Sequence, residues 1–316
     1  MSNWNTKSIE KLVEYRLLGM TWDQISEAFY ATHKLDISAN NARKAFYRST
    51  RDNAQVTSLI VPVKVLILDI ETAPILAHVW GLFDQNIALN QIKEDWSILS
   101  WSDKWLGSDK IMYQDNRKEK NPRNDSKILK SIWNLLDEAD VVIGQNSKSF
   151  DLPKLNARFI LNGMPKPSSY RQIDTMRVAK RHFKFTSNKL EYMTKELCPS
   201  ISKSDHKKFP GFSLWKECLA GNQEAWKEME LYNIQDILST EALYHKLQPW
   251  DSALNFNVYH DAFHHQCPCG SVSFKKHGTV FTNSGKFQRF ICTKCGAESV
   301  DKGNLLSKEK RQSLRK

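Results

Sequence analysis

The sequence predicts an α/β protein whose central domain is a mixed sheet with helices on its faces. A small helical module precedes it and a small cysteine-bearing module follows. Three observations carry this reading. Between residues 61 and 249, strand-like apolar runs come first in series and then alternate with helix-period segments. Residues 8–50 hold three short helix-period segments. Four of the six cysteines fall in two close pairs, Cys267/Cys269 and Cys292/Cys295. The boundaries drawn are 1–55, 56–252, 253–303 and a basic tail, 304–316.

In the first module, Ile9, Leu12, Val13, Leu17 and Leu18 form a helical stripe that Gly19 ends. Thr21 is placed to cap Trp22–Tyr30, with Gln24 three residues on as in a capping box. Ser38 is placed to cap a third helix with Ala42, Ala45 and Phe46 on its apolar side. Lys44, Arg48 and Arg51 lie on the other side at i, i+4 and i+7. The pattern resembles a helix-turn-helix, whose last helix enters DNA, so Lys44 and Arg48 are candidate substrate contacts. Three small helices are equally a generic interaction module. Residues 52–58 read as a linker.

The central domain opens on Val63-Lys-Val-Leu-Ile-Leu-Asp-Ile-Glu-Thr72, a strand apolar on both faces and therefore buried in mid-sheet. Asp69 and Glu71 are two apart and leave it on the same face. Two converging carboxylates repel each other, and a divalent cation between them relieves this; a solvated strand end is the plainer reading. Ser97–Trp105 is a second strand and Lys110–Tyr113 a third, followed by a charged loop from Arg117 to Asp125. Ile128–Leu136 marks a helix, Asp140–Asn146 a buried strand, and Leu152–Leu161 a helix stopped by Gly163. Ile173–Thr175 is a short strand or turn before further helices. Residues 199–213 read as an exposed loop, and a long helix runs from Gln223 to Leu247.

Two more acids join the first pair. Asp151 follows a buried strand at a strand-to-helix corner, and Asp236 lies on the long helix one turn after Tyr232. Singly, each is unremarkable. Together, Asp69-Ile-Glu71, Asn146-x3-Phe150-Asp151 and Tyr232-x3-Asp236 resemble the three motifs of the DEDD-superfamily 3′→5′ exonucleases of the tyrosine type. The likeness covers about residues 61–248. It is greatest to the proofreading domain of family B DNA polymerases and to stand-alone, often phage-encoded, relatives. The resemblance implies an RNase H-like fold and a 3′→5′ exonuclease with a two-metal mechanism. Asp69, Glu71, Asp151 and Asp236 would hold two Mg²⁺ or Mn²⁺, with Asp69 bridging. Tyr232 would orient the attacking water, a better role than free base for a group of pKa ~10. It also implies that Asn146 and Phe150 contact the terminal nucleotide, although packing suits Phe150 as well; Asp174 is read as structural.

Cys267-Pro-Cys269-Gly and Cys292-Thr-Lys-Cys295-Gly resemble the knuckles of a zinc ribbon. Val272–Phe274 and Phe287–Ile291 would form the hairpin that joins them, and four thiolates suit one structural Zn²⁺. The first pair departs from the usual Cys-x2-Cys spacing, which leaves His264, His265 and His277 as substitutes. Lys275, Lys276, Lys286, Arg289 and Lys294 interleave with Phe274, Phe281, Phe287 and Phe290. That mixture binds phosphates and stacks on bases, or else the Phe residues are simply the core of a small module. The tail after Gly303 is read as disordered and DNA-attracting.

The net charge is +11, of which +7 lies in residues 256–316. A nearly neutral centre with a basic end fits a catalytic domain with a polyanion-binding appendage. No run approaches the ~20 apolar residues that cross a membrane, and no apolar signal core opens the chain, so a cytoplasmic protein without a membrane partner is expected. The expected activity is 3′→5′ hydrolysis of DNA. RNA as substrate, a structure-specific nuclease and a non-catalytic DNA-binding or recruitment protein are the alternatives.

Overall fold

The computed structural model describes residues 4–34, 37–51, 63–201, 208–251, 254–259 and 266–314. The expected linker, His264 and His265 lie outside them, as do the side chains of Arg48 and Arg51.

The N-terminal helices are α1 (Thr6–Leu17), α2 (Trp22–His33) and α3 (Ala39–Arg51). Asn5 caps α1 by accepting from the Ser8 amide at 2.8 Å. The capping box of α2 is formed: Thr21 Oγ1 accepts from the Gln24 amide and the Gln24 side chain accepts from the Thr21 amide. Such a cap contributes about 1 kcal/mol. Ser38 Oγ accepts from the Asn41 amide at 3.3 Å. Leu12, Val13, Ile25, Phe29, Ala42, Ala45 and Phe46 form the core, and Trp4 meets Phe29 edge-on with ring centres 5.5 Å apart. The expected stripe is corrected at Leu18, which is 70% exposed. It is the C-cap of α1, and Gly19 at φ 77° turns the chain away there. Lys44 is exposed on α3.

The central sheet has the order β5-β4-β1-β6-β7, from β1 (Val65–Thr72), β4 (Ile98–Trp105), β5 (Ile111–Asp115), β6 (Val141–Gly144) and β7 (Arg171–Asp174). A short pair, β2 (Leu76–Ala77) and β3 (Ile92–Glu94), lies between β1 and β4 in sequence. β1, β4 and β5 pair antiparallel, whereas β6 and β7 run parallel to β1. Parallel neighbours need crossovers. The helices α4 (Ser126–Glu138) and α5 (Asp151–Leu161) supply them.

Alternation along β1 sorts its side chains. Leu66, Leu68 and Ile70 enter one core with Ile128, Leu129, Ile132 and Leu136 of α4 and Leu152, Leu155 and Phe159 of α5. Val65, Ile67, Asp69 and Glu71 therefore point to the other face. There β1 and β4 are covered by a 25-residue helix, α9 (Gln223–Leu247). Trp226, Met229, Asn233, Ile237, Thr240, Leu243, Tyr244 and Leu247 recur at three- and four-residue steps on its buried side. The polar members of that stripe, with Asp236, are what a purely structural helix would not bury. Three shorter helices complete the layer: α6 (Thr175–His182), α7 (Leu190–Leu197) and α8 (Ser213–Leu219). Leu214 and Cys218 of α8 pack with Ala73, Leu99, Trp226 and Met229 as a second core. Of the loop expected at 199–213, residues 202–207 are outside the described set.

The C-terminal part is an antiparallel sheet of β8 (Phe274–Thr282), β9 (Gly285–Cys292) and β10 (Glu298–Asn304), in the order β10-β9-β8. Two expectations change. The first strand starts at Phe274 rather than Val272, and a third strand joins the expected hairpin. The tail also carries a short helix, α10 (Lys308–Gln312), because Ser307 Oγ accepts from the Lys310 amide at 3.2 Å and caps it. Among the described residues, no helix is long and apolar enough to cross a membrane.

One core residue is costly. Asp103 on β4 lies opposite Leu68 and Met112, on the face that packs against α4 and α5. It is fully buried, and neither carboxylate oxygen has a hydrogen-bond partner. Burial holds its pKa well above the ordinary carboxylate value. A raised folded pKa favours folding at low pH and loses that contribution as pH rises. Asp103→Leu should therefore stabilise the protein by about 1–3 kcal/mol near neutral pH, a rise of several degrees in thermal midpoint. Thermal denaturation at pH 4 and pH 8 checks this: the gain should be larger at pH 8.

Candidate active site

Three elements converge above the end of β1. Strand pairing sets Asp69 opposite Ser102 and Glu71 opposite Ser100, so small side chains flank both acids. From α9, Asp236 faces them. One carboxylate oxygen from each of Asp69, Glu71 and Asp236 lies within 4.8 Å of the others. Asp151, the first residue of α5, sits alongside: its Oδ1 accepts from the Ile70 amide at 3.2 Å, and it is buried. Tyr232 is one turn before Asp236 and is hydrogen-bonded to it.

The electrostatics reflect crowding. Desolvation raises the pKa of Asp69 well above normal, and the charges of Asp151, Asp236 and Glu71 raise it further. Glu71 is pushed up to about 8 by burial and then by Asp236. Asp151 is pushed to about 7 by burial, against two backbone hydrogen bonds that favour its ionised form. Burial and the same acids hold the Tyr232 phenol above its usual range. The set thus prefers protons, or a cation, to four bare charges.

Two supporting residues carried no signal that singled them out in the sequence. Asn233 Nδ2 donates to Asp69 Oδ2 at 2.5 Å, and Ser100 Oγ donates to Asn233 Oδ1 at 3.1 Å. Trp215 Nε1 donates to Glu71 Oε2 at 3.0 Å, and its ring meets Tyr232 edge-on at 6.0 Å. Both donors favour the ionised acid they touch. Asn233 lies inside the Tyr232-x3-Asp236 spacer, a position where an apolar residue would be the ordinary choice for a buried face.

Asn146 occupies left-handed backbone at φ 63°, which asparagine tolerates better than most residues. Phe150 is 39% exposed, with the Lys154 ammonium 5.2 Å from its ring centre. Asp174 caps α6, accepting from the Met176 and Arg177 amides, and also binds the Asn146 and Lys148 amides at 3.0 and 3.2 Å. That is a structural task.

Each cysteine pair lies in a turn closed by the glycine that follows it. The Gly270 amide donates to Cys267 O and the Gly296 amide to Cys292 O, with Gly270 and Gly296 at φ 82° and 79°. The sulfurs of Cys267, Cys269, Cys292 and Cys295 lie within 4.8 Å of one another. His277 is not in that group.

Residues 103–248 match the sequence model of the RNase_H_2 family, described as RNase H superfamily. The span includes Asp151, Tyr232 and Asp236 and begins after Asp69 and Glu71. The chain is similar to the family B DNA polymerase from the hyperthermophilic archaeon Pyrobaculum calidifontis, at 17% identity and a TM-score of 0.41. The match covers 64% of this chain and 27% of that one, so the chain spans about a quarter of the polymerase's length. No curated protein matches the chain. The mixed sheet with its helices and the match over residues 103–248 describe an RNase H-like α/β domain.

Repulsion among these acids has a measurable consequence. Unfolded carboxylates titrate near 4, while Asp151 and Glu71 titrate near 7 and 8 in the folded protein. Their contribution to stability is present at low pH and is lost as pH rises through about 7–8. In EDTA, Asp236→Asn should raise the thermal midpoint by a few degrees at pH 8.5 and hardly at all at pH 5. Equal shifts at both pH values would contradict the coupling.

Proposed function

We propose that the protein is a metal-dependent 3′→5′ exonuclease that shortens DNA from its 3′ end. The observation that carries this is the convergence of Asp69, Glu71 and Asp236 within 4.8 Å, with Asp151 beside them and Tyr232 one turn away. The donor set fits hard cations. It is all oxygen and partly desolvated, and burial together with the neighbouring acids raises the pKa values of Asp69 and Glu71, a cost that a bound cation would offset.

Asp69, Glu71, Asp151 and Asp236 would hold two Mg²⁺ or Mn²⁺. Bound there, the metals would supply an activated water and stabilise the leaving oxygen of a phosphodiester. The residues do the rest. Asn233 and Trp215 fix the rotamers of Asp69 and Glu71. Tyr232 keeps its proton at neutral pH and donates it to Asp236, so its phenol oxygen would orient a water as acceptor, while Trp215 meets its ring edge-on. Phe150, half-exposed beside Asp151, offers a face to a terminal base, and Asn146 forms the corner beneath it. The cysteine turns would hold one structural Zn²⁺ in a ribbon, and α3 would add DNA contacts through Lys44 and Arg48.

The activity is tested with 5′-labelled and 3′-labelled single strands of DNA and RNA in Mg²⁺, Mn²⁺ or EDTA. Stepwise shortening of the 5′-labelled DNA, abolished by EDTA, is expected. Asp69→Ala should lower the rate by about a thousandfold and Tyr232→Phe by about a hundredfold. Internal cuts, or full activity in EDTA, would contradict the proposal; faster shortening of RNA would reassign the substrate. Because the acids must lose protons to bind metal, the Mg²⁺ concentration giving half-maximal rate should fall as pH rises from 6 to 8. Elemental analysis of reduced protein should give about one zinc per chain, and less after Cys292→Ser.

A further inference from the structure

The segment that leaves β7 is strongly one-sided. Residues 175–189 contain Arg177, Lys180, Arg181, Lys184 and Lys189, with His182, and no acid. All six side chains are exposed. Among the described residues, only Arg177 has an ion-pair partner, the capping Asp174 at 3.8 Å. Cations at a helix C-terminus ordinarily complement the helix dipole. That accounts for Lys180, Arg181 and His182 in the last turn of α6, but not for Lys184 and Lys189 beyond it.

Aromatic rings lie between these charges. Phe183 and Phe185 stack with centres 5.0 Å apart and planes 19° from parallel. Trp250, in the turn after α9, meets Phe183 edge-on at 5.0 Å, and His182 lies 6.5 Å from it. Trp250 is 55% exposed, more than a ring serving only as core would be.

The segment is also tied to the site. The Gln145 side chain donates to Asn188 O at 2.9 Å, and Arg177 donates to Ser149 Oγ at 3.2 Å. The loop that delivers Asp151 is thus bonded at both ends to this basic and aromatic surface.

We propose that residues 177–189 with Trp250 form a track for the single strand of nucleic acid behind the terminal nucleotide, the cations binding phosphates and the rings stacking bases. This rests on the nuclease reading of the acid site. The helical part is ~12 Å long, enough for a few nucleotides. Cations and aromatic faces together suit unpaired bases on a phosphate chain, whereas an acidic protein surface would use only the cations.

The test is binding of end-labelled oligo-dT and oligo-U, 4 and 12 nucleotides long, to the full chain in EDTA. Lys180→Ala/Arg181→Ala/Lys184→Ala should weaken 12-mer binding at least ~10-fold and lower the log–log salt slope by about 2. The 4-mer should change by less than about twofold. Lys184→Gln alone, outside the helix, should lower the slope by about 0.7. Trp250→Ala should weaken the 12-mer ~10-fold at unchanged slope, with recovery in Trp250→Phe, and should leave heparin binding unaltered. An unchanged slope in both lysine variants overturns the proposal. So does a Trp250→Ala loss as large for heparin as for the oligonucleotide. The oligo-dT and oligo-U arms identify the sugar. Because no cleavage is required, binding that maps here in a chain that cuts nothing would leave the track and remove the nuclease; cleavage with unaltered binding would do the reverse.

Discussion

The structure depends on one constraint: two carboxylates leave the same face of a buried central strand. Strand geometry makes this unavoidable once Asp69 and Glu71 are spaced by one residue. Leu66, Leu68 and Ile70 secure the opposite face of β1 in the main core, so the acids cannot turn away without exposing that core. Everything near them answers the resulting charge. Serines on β4 give room, Asn233 and Trp215 donate to the acids, and α9 buries polar side chains where a helix of its length would otherwise bury aliphatic ones. Even so, the set is left under-neutralised, with pKa values raised rather than lowered. Acids held together by the core at raised pKa differ in this from a structural polar network, in which donors favour the ionised forms.

Much of this was legible in the sequence, for identifiable reasons. β1, β6 and α9 are long or uniformly apolar segments, and their periodicities survive in the fold. The capping box at Thr21 and the cap at Ser38 are local hydrogen bonds, and local chemistry predicts itself. Spacing put Asp69 with Glu71 on one strand face and Tyr232 with Asp236 on one helix face, but it was the resemblance of the three motifs taken together that singled them out. The parts that were not legible are long-range. Trp215 sits 144 residues from Glu71 and comes from a helix beyond a loop, so nothing local announces the pair. Asn233 needed the register of α9 against β1. The strand β10 pairs through a poorly apolar stretch, Glu-Ser-Val-Asp-Lys-Gly-Asn, that has no periodicity of its own and is recruited by β9. Leu18 failed for the opposite reason: the helical period continued past the point where Gly19 ended the helix.

The two cysteine turns make a similar point at smaller scale. An irregular first spacing, Cys-x-Cys, leaves open on paper which ligands converge. In the folded chain the glycine after each pair adopts positive φ and its amide closes a turn on the first cysteine's carbonyl, three residues back at Gly270 and four at Gly296. The one-residue difference in cysteine spacing is thus taken up in the length of the turn.

Asp174 shows how the acid site is joined to the rest of the domain. Its two oxygens accept from four backbone amides, two in the loop before Asp151 and two in the first turn of α6. One side chain thereby fixes the left-handed corner at Asn146 and the start of the basic helix at once. The first sets the position of Asp151; the second sets where Arg177 and Arg181 stand. A carboxylate that accepts four N–H groups has its charge fully used, so it can sit buried beside the acid cluster without competing for a cation. The same residue type therefore does opposite things in one domain. Asp174 is spent on amides and is structural, whereas Asp69 has one strong donor and a crowd of like charges. Count of donors, rather than burial, separates the two.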